Sequence, residues 1–137
     1  MTQEEIQLLL KDLSARLSYG VMCQVNDGAA GLNDGKLIEI DISKELVRFD
    51  VDYYWDAYID DVKPYLRPMS SMTEEERKKY EFTFASVYDT NDEGEDADSW
   101  HEEWSLESFD WLNAHHFDYR GLIKKGLALK ATEGMYN

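Results

Sequence analysis

The chain has 137 residues, with 29 Asp and Glu against 14 Lys and Arg, a formal net charge of −15 and a pI near 4.4. That length suits one folded domain with room for a hydrophobic core, and 31% charged with 43% hydrophobic residues reads as a soluble globular chain. Such an excess of negative charge argues against direct binding to nucleic acid or to an anionic membrane, and for a basic partner surface, a divalent cation or plain solubility. The longest apolar run, Leu8-Leu9-Leu10, is far too short for a membrane span. Glu4 and Glu5 near the start argue against a secretory signal, and the lone Cys23 allows no internal disulfide. The expected location is therefore the cytoplasm.

The first element is a helix. Thr2 and Glu5 have capping-box spacing, and Ile6, Leu9, Leu10, Leu13 and Leu17 recur on one face, which predicts an amphipathic helix over residues 3–17. Tyr19-Gly20 ends it. Val21, Cys23 and Val25 then alternate with Met22 and Gln24, and Asn26-Asp27-Gly28 turns the chain. Residues 29–35 read as a loop. Ile38, Ile40 and Ile42 alternate with Glu39 and Asp41, and Val47, Phe49 and Val51 with Arg48 and Asp50, giving two more half-buried strands. Residues 52–61 are unusual, because Tyr53, Tyr54, Trp55 and Tyr58 lie among Asp56, Asp60 and Asp61. Such a mixture caps a small barrel or makes a binding surface.

Residues 62–76 join the two halves of the chain. They hold both prolines, Pro64 and Pro68, which impose extended geometry on Lys63 and Arg67, and then Thr73 and Glu76 form a second capping box. An extended arm thus runs straight into a helix start. Tyr80, Phe82, Phe84 and Tyr88 have the even spacing of a strand, and Tyr80, Phe84 and Tyr88 also fit a helix at i, i+4 and i+8. The β-branched and aromatic content of residues 82–88 favours the strand, with residues 89–98 an acidic turn and residues 99–104 a returning strand. Ser105 is a candidate N-cap for a helix carrying Phe109, Leu112 and His116, with Trp111 alongside. A short helix over 118–125 closed by Gly126 and a last strand at 127–129 complete the chain.

The expected fold is α+β: an N-terminal helix on a small curved antiparallel sheet or SH3-like barrel within residues 1–69, then a helix and hairpin half over 70–137 with an acidic loop at 89–98. Leu9, Leu13, Ile38, Ile40, Phe49, Leu66, Trp111 and Leu112 are the expected core.

Two long phrases carry a resemblance. Val62-Lys63-Pro64-Tyr65-Leu66-Arg67-Pro68-Met69-Ser70-Ser71-Met72-Thr73-Glu74-Glu75-Glu76 and Asp110-Trp111-Leu112-Asn113-Ala114-His115-His116-Phe117-Asp118-Tyr119-Arg120-Gly121-Leu122-Ile123, with Gly126-Leu127-Ala128-Leu129 after the second, resemble runs in small acidic proteins encoded by phages and integrated mobile elements of gut Bacteroidales. The entry from helix to strand over residues 13–21 is similar too. The resemblance implies a mobile-element origin and action inside a bacterial cell. It brings no catalytic residues with it.

Few residues offer chemistry. His115 and Asp118, at i and i+3, are candidate metal ligands, but adjacent His115 and His116 point about 100° apart on a helix and no zinc spacing is present. The structural alternative has Asp118 cap the next turn through the amide of Arg120 or Gly121. Asp89, Asn91 and Glu93 followed by Gly94 begin like a calcium loop, yet Trp100 stands where a bidentate Glu is needed. Phosphate-loop, dinucleotide, nucleophile-elbow and Cys-x-x-Cys motifs are missing, and the sequence implies no cofactor.

Charge is the stronger signal. Residues 81–119 contain no Lys or Arg and twelve acids, −12 of the total −15. A candidate acidic binding face therefore comprises Asp89, Asp92, Glu93, Glu95, Asp96, Asp98, Glu102 and Glu103, extended by Tyr53, Tyr54, Trp55, Asp56, Tyr58, Asp60 and Asp61. The sequence favours a non-enzymatic interaction protein whose partner is a host or phage protein with a basic surface, in its sharper form a nucleic-acid mimic that inhibits host defence. The alternatives are a small metal-dependent hydrolase or nuclease using His115 and Asp118, and a divalent-cation-binding acidic loop.

Overall fold

The computed structural model describes residues 1–26, 28, 31–50, 56–79 and 108–136. Helix α1 spans Gln3–Arg16 and begins with both halves of the expected capping box: Thr2 Oγ1 accepts from the Glu5 amide at 3.1 Å, and Glu5 Oε1 from the Thr2 amide at 2.8 Å. Ile6, Leu9, Leu10 and Leu13 are buried along its inner face, and so are Asp12 and Arg16. A 3-10 turn, Leu17–Tyr19, follows and Gly20, at φ 71°, reverses the chain.

Among the described residues six strands form one sheet: β1 (Met22–Asn26), β2 (Leu32–Asp41), β3 (Leu46–Asp50), β4 (Asp56–Tyr58), β5 (Val62–Leu66) and β6 (Leu129–Lys130). Their order is β4-β3-β2-β1-β5-β6. A 3-10 turn of three residues, Ile59–Asp61, carries the chain from β4 at one edge to β5 on the far side of β1. So short a connection requires the sheet to bend strongly around α1. Ile59, 1% exposed, pins that turn in the core. The core itself lies in the bend, where the α1 stripe meets Val21, Cys23, Val25, Leu37, Val47, Phe49, Val62 and Leu66.

The fold is α+β, as expected, and three details differ. The sheet is mixed, because β6 runs parallel to β5 while the other neighbours are antiparallel. It is also not closed, so the SH3-like alternative goes only as far as the curl. The third detail is the phase of β2. This strand starts inside the expected loop, at Leu32, and a bulge at Ile38 sets two β2 residues against one on β3 between the pairs Leu37–Phe49 and Glu39–Arg48. Before the bulge the inward positions are Asn33, Gly35 and Leu37; Ile38 turns outward, 48% exposed, and Ile42 is 61% exposed. Ile40, beyond the bulge, packs only against the rim of the core. Gly35 is needed where it stands: an added Cβ would lie 3.0 Å from Phe49 Cβ.

The arm at residues 62–68 is β5 plus a parallel bridge from Arg67 to Phe117. The second capping box is also present, and residues 74–79 are helical behind it. Expected elements over 80–104, including the strands, the acidic turn and the cap at Ser105, lie outside the described residues. Residues 108–114 are helical, but His116 is not on that helix. The helix ends in a Schellman turn, with the Phe117 amide bonded to Leu112 O at 2.9 Å and the His116 amide to Asn113 O at 3.1 Å. His116, at φ 62°, takes the left-handed position that glycine usually fills. Leu112 is buried as expected, whereas Trp111 is only half-buried. Residues 119–126 form successive turns rather than a helix, ended by Gly126 at φ 77°.

Candidate functional site

Strand β4 and the turn after it build an exposed acidic and aromatic ridge. Alternation along β4 turns Ala57 inward and Asp56 and Tyr58 outward, and the buried Ile59 then fixes the turn that displays Asp60 and Asp61. The Ile59 amide donates to Glu45 O at 3.0 Å, which ties the ridge to the β2–β3 turn. Tyr58 is 64% exposed, so it caps no barrel. Asp56 is held by Arg48 Nε at 3.0 Å, and Arg48 also binds Glu39. Asp60 and Asp61 have no ion-pair partner among the described residues, and they border a hollow of about 190 Å³ with Gln24, Asn26, Leu32 and Lys63. Ion pairing thus leaves the tip of the ridge as its most negative part. Tyr53, Tyr54 and Trp55, and the acids Asp89, Asp92, Glu93, Glu95, Asp96, Asp98, Glu102 and Glu103, lie outside the described residues.

His115 and Asp118 do not converge on a ligand. The His115 ring stacks on Trp111 with centroids 4.2 Å apart, and its Nδ1 is 2.9 Å from Trp111 O. A carbonyl only accepts, so this nitrogen carries the proton. Asp118 is a cap, as the structural alternative held, but of amides two residues further on: Oδ1 accepts from the Leu122 amide at 2.8 Å and Oδ2 from the Ile123 amide at 3.0 Å. Among the described residues no group of three His, Cys, Asp or Glu could hold a metal ion. Compared with family models, curated proteins and solved structures, the chain has no match. Its chemistry therefore has to be read from its own side chains.

Behind Asp118 lies a buried ionic cluster. Asp12 and Arg16, both fully buried, pair in the bidentate manner, with Arg16 Nε on Oδ2 at 2.9 Å and Nη2 on Oδ1 at 3.2 Å. Arg120 Nε adds a third bond to Asp12 at 3.1 Å, and its Nη2 donates to the Tyr119 hydroxyl, which donates in turn to Asn113. Both guanidiniums lie over the Tyr119 ring, at 5.3 and 4.9 Å. A sequence signal for this cluster did exist: Asp12 and Arg16 fall on the apolar stripe, three and seven residues after Leu9. Charged residues there must be paired to be tolerated.

The same corner holds His116 and Tyr136. Their rings stack with centroids 3.7 Å apart, and His116 is only 5% exposed. Burial, then the nearby Arg16, His115 and Arg67, lower the imidazole pKa to about 4. Tyr136 Oη accepts from the Met22 amide at 2.9 Å and donates to Tyr65 O at 2.6 Å, while burial pushes its phenol pKa up. Cys23 is fully buried, and burial raises its pKa well above the ordinary thiol value, so it is no nucleophile. Among the described residues no helix is long and apolar enough to cross a membrane.

Proposed function

We propose that this chain is a non-enzymatic accessory protein of a phage or mobile element, acting in the bacterial cytoplasm by docking an acidic face on a basic protein surface. The observation that carries the reading is the ridge: Tyr58, largely exposed on a strand, flanked by Asp56, Asp60 and Asp61 and anchored by the buried Ile59. An exposed tyrosine offers a large contact at low entropic cost, and the carboxylates around it steer and orient a cationic partner. The twelve acids of residues 81–119, unrelieved by any Lys or Arg, add to the negative charge of the chain as a whole. A surface kept merely soluble mixes its signs; this one tolerates self-repulsion that a binding role would justify.

The sharper form of the proposal is mimicry of a nucleic-acid backbone, with a DNA- or RNA-binding protein of host defence as the target. Competition tests it. A partner captured from host lysate should be displaced by duplex DNA or by RNA, and capture should weaken steeply as salt is raised. Capture that ignores both salt and nucleic acid, or that survives the combined change Tyr58→Ala, Asp60→Asn and Asp61→Asn, would overturn the reading.

A further inference from the structure

His116 is buried, strained and badly placed to carry charge. It occupies a left-handed backbone position with φ 62°, its ring lies flat on Tyr136, and its Nδ1 is buried with no hydrogen-bond partner among the described residues. The charged groups packed around it are the guanidiniums of Arg16 from α1 and Arg67 following β5, and His115 lies on the same turn. Carboxylates of the surrounding elements are committed elsewhere. Asp12 is bound by Arg16 and Arg120, Glu76 by Arg67, and Asp118 by the amides of Leu122 and Ile123. Tyr136 and Cys23, the other titratable groups at this corner, are neutral until far above physiological pH. On the C-terminal turn, Glu133 and Lys130 are exposed to water.

An imidazolium has two donors to satisfy, and the buried Nδ1 would find neither acceptor nor counter-charge here. The face of the Tyr136 ring would attract it weakly, against desolvation and two guanidiniums. Opening the stack would remove that conflict, and the stack holds something down. Tyr136 is the bolt of segment 131–136: its hydroxyl ties β1 to β5 through Met22 and Tyr65, and among the described residues only the Ala131 amide, bonded to Leu66 O at 2.8 Å, adds another backbone tie to the sheet. Gly134, at φ 82°, turns the chain back toward the sheet so that Tyr136 can reach it.

We propose that the His116–Tyr136 stack is an acid-operated latch: protonation of His116 releases segment 131–136 from the sheet edge while the sheet and α1 stay folded. Release opens the cleft of about 410 Å³ that this segment walls together with Arg67, Ser71 and Thr73. The sign follows from the lowered pKa. The closed state binds fewer protons than the open one, so the closed latch is stable above the ordinary histidine value of 6.5 and loses ground as pH falls from there toward about 4. One proton is linked to opening, so opening increases by up to about tenfold per pH unit within that window.

Hydrogen exchange read by NMR tests it, after correction for intrinsic rates. The Met22 amide, bonded to Tyr136, reports the latch; the Leu37 amide, bonded to Val21 O at 3.0 Å, reports the sheet. On going from about pH 7 to about pH 4.5, Met22 should lose protection at least tenfold more than Leu37, with the His116 ring titrating below 5 in the closed state. In His116→Phe, which keeps a stacking ring without a titrating nitrogen, the Met22 loss should vanish. Equal losses at Met22 and Leu37, a His116 pKa near 6.5, or an unchanged Met22 loss in His116→Phe would each overturn the proposal. The wild-type comparison of the two amides decides it alone if that variant fails to fold.

Discussion

Arg16 and Phe117, 101 residues apart, are joined by one short bond: the buried Arg16 Nη2 donates to the Phe117 carbonyl at 2.6 Å. The same guanidinium grips Asp12, so a single side chain ties α1 to the C-terminal turn and neutralises the only carboxylate of α1 that is buried. Removing one member of such a cluster strands the others in a medium of low polarity. Arg16→Ala should therefore cost about 3–5 kcal/mol in urea unfolding. A loss under about 1 kcal/mol would mean that Arg120 alone suffices for Asp12.

The bulge in β2 predicts a contrast between neighbours. Leu13→Ala, at a site with no exposure, should cost about 2–5 kcal/mol, while Ile38→Ala should change stability by no more than about 0.5 kcal/mol. Equal effects in denaturant titrations would place Ile38 in the core and remove the bulge.

Gly35 faces the Phe49 side chain at a distance where a methyl group barely fits. Gly35→Ala should force Phe49 or the strand to shift, at about 1–3 kcal/mol. A variant as stable as the parent would show that Phe49 yields freely.

Glu76 supplies an acid-range test. The Arg67 guanidinium, with the Thr73 amide helping, lowers its pKa to about 2, and Arg67 holds it with both oxygens engaged. A folded pKa below the unfolded value of 4.5 contributes stability above that value and loses it as pH falls toward about 2. Glu76→Gln should flatten the thermal stability profile over that range, and a profile as steep as the parent's would assign the acid loss to other carboxylates.

Asp60 and Asp61 can be neutralised at no structural cost, since neither has an ion-pair partner among the described residues. Asp60→Asn with Asp61→Asn should leave the melting temperature equal or higher while slowing association with a basic partner several-fold at low salt. Surface plasmon resonance over a salt series checks this; an unchanged on-rate would move the contact elsewhere.

Much of the frame could be read from the residues, because periodicity and capping chemistry are local. The Thr2–Glu5 and Thr73–Glu76 boxes, the Leu9–Leu13 stripe and the alternation around Phe49 all depend on neighbours within one turn or one strand. What escaped depends on contacts distant in sequence. Ile38, Ile40 and Ile42 alternate as a strand should, but Gly35 and the bulge against β3 reverse the first and loosen the others. The two residues of β6 are a strand only because β5 lies beside them. His116 has helical spacing from Leu112, yet the Schellman turn puts it in a glycine's conformation, held by Tyr136 from twenty residues on. For the ridge, composition alone left open whether Tyr58 caps or protrudes; the outward phase of β4 supplies the answer.

The bonds from Arg16 to Phe117 and from Met22 to Tyr136 also bear on how the protein is made. While it emerges from the ribosome, α1 carries Asp12 and Arg16 with one partner each, and β1 lacks the hydroxyl that completes its start. Closing loops of this length is slow relative to helix formation. A nascent chain should therefore stay sensitive to protease until Phe117, Arg120 and the last strand, Leu129–Lys130, have left the tunnel, and then become resistant, with the contact of Tyr136 added last.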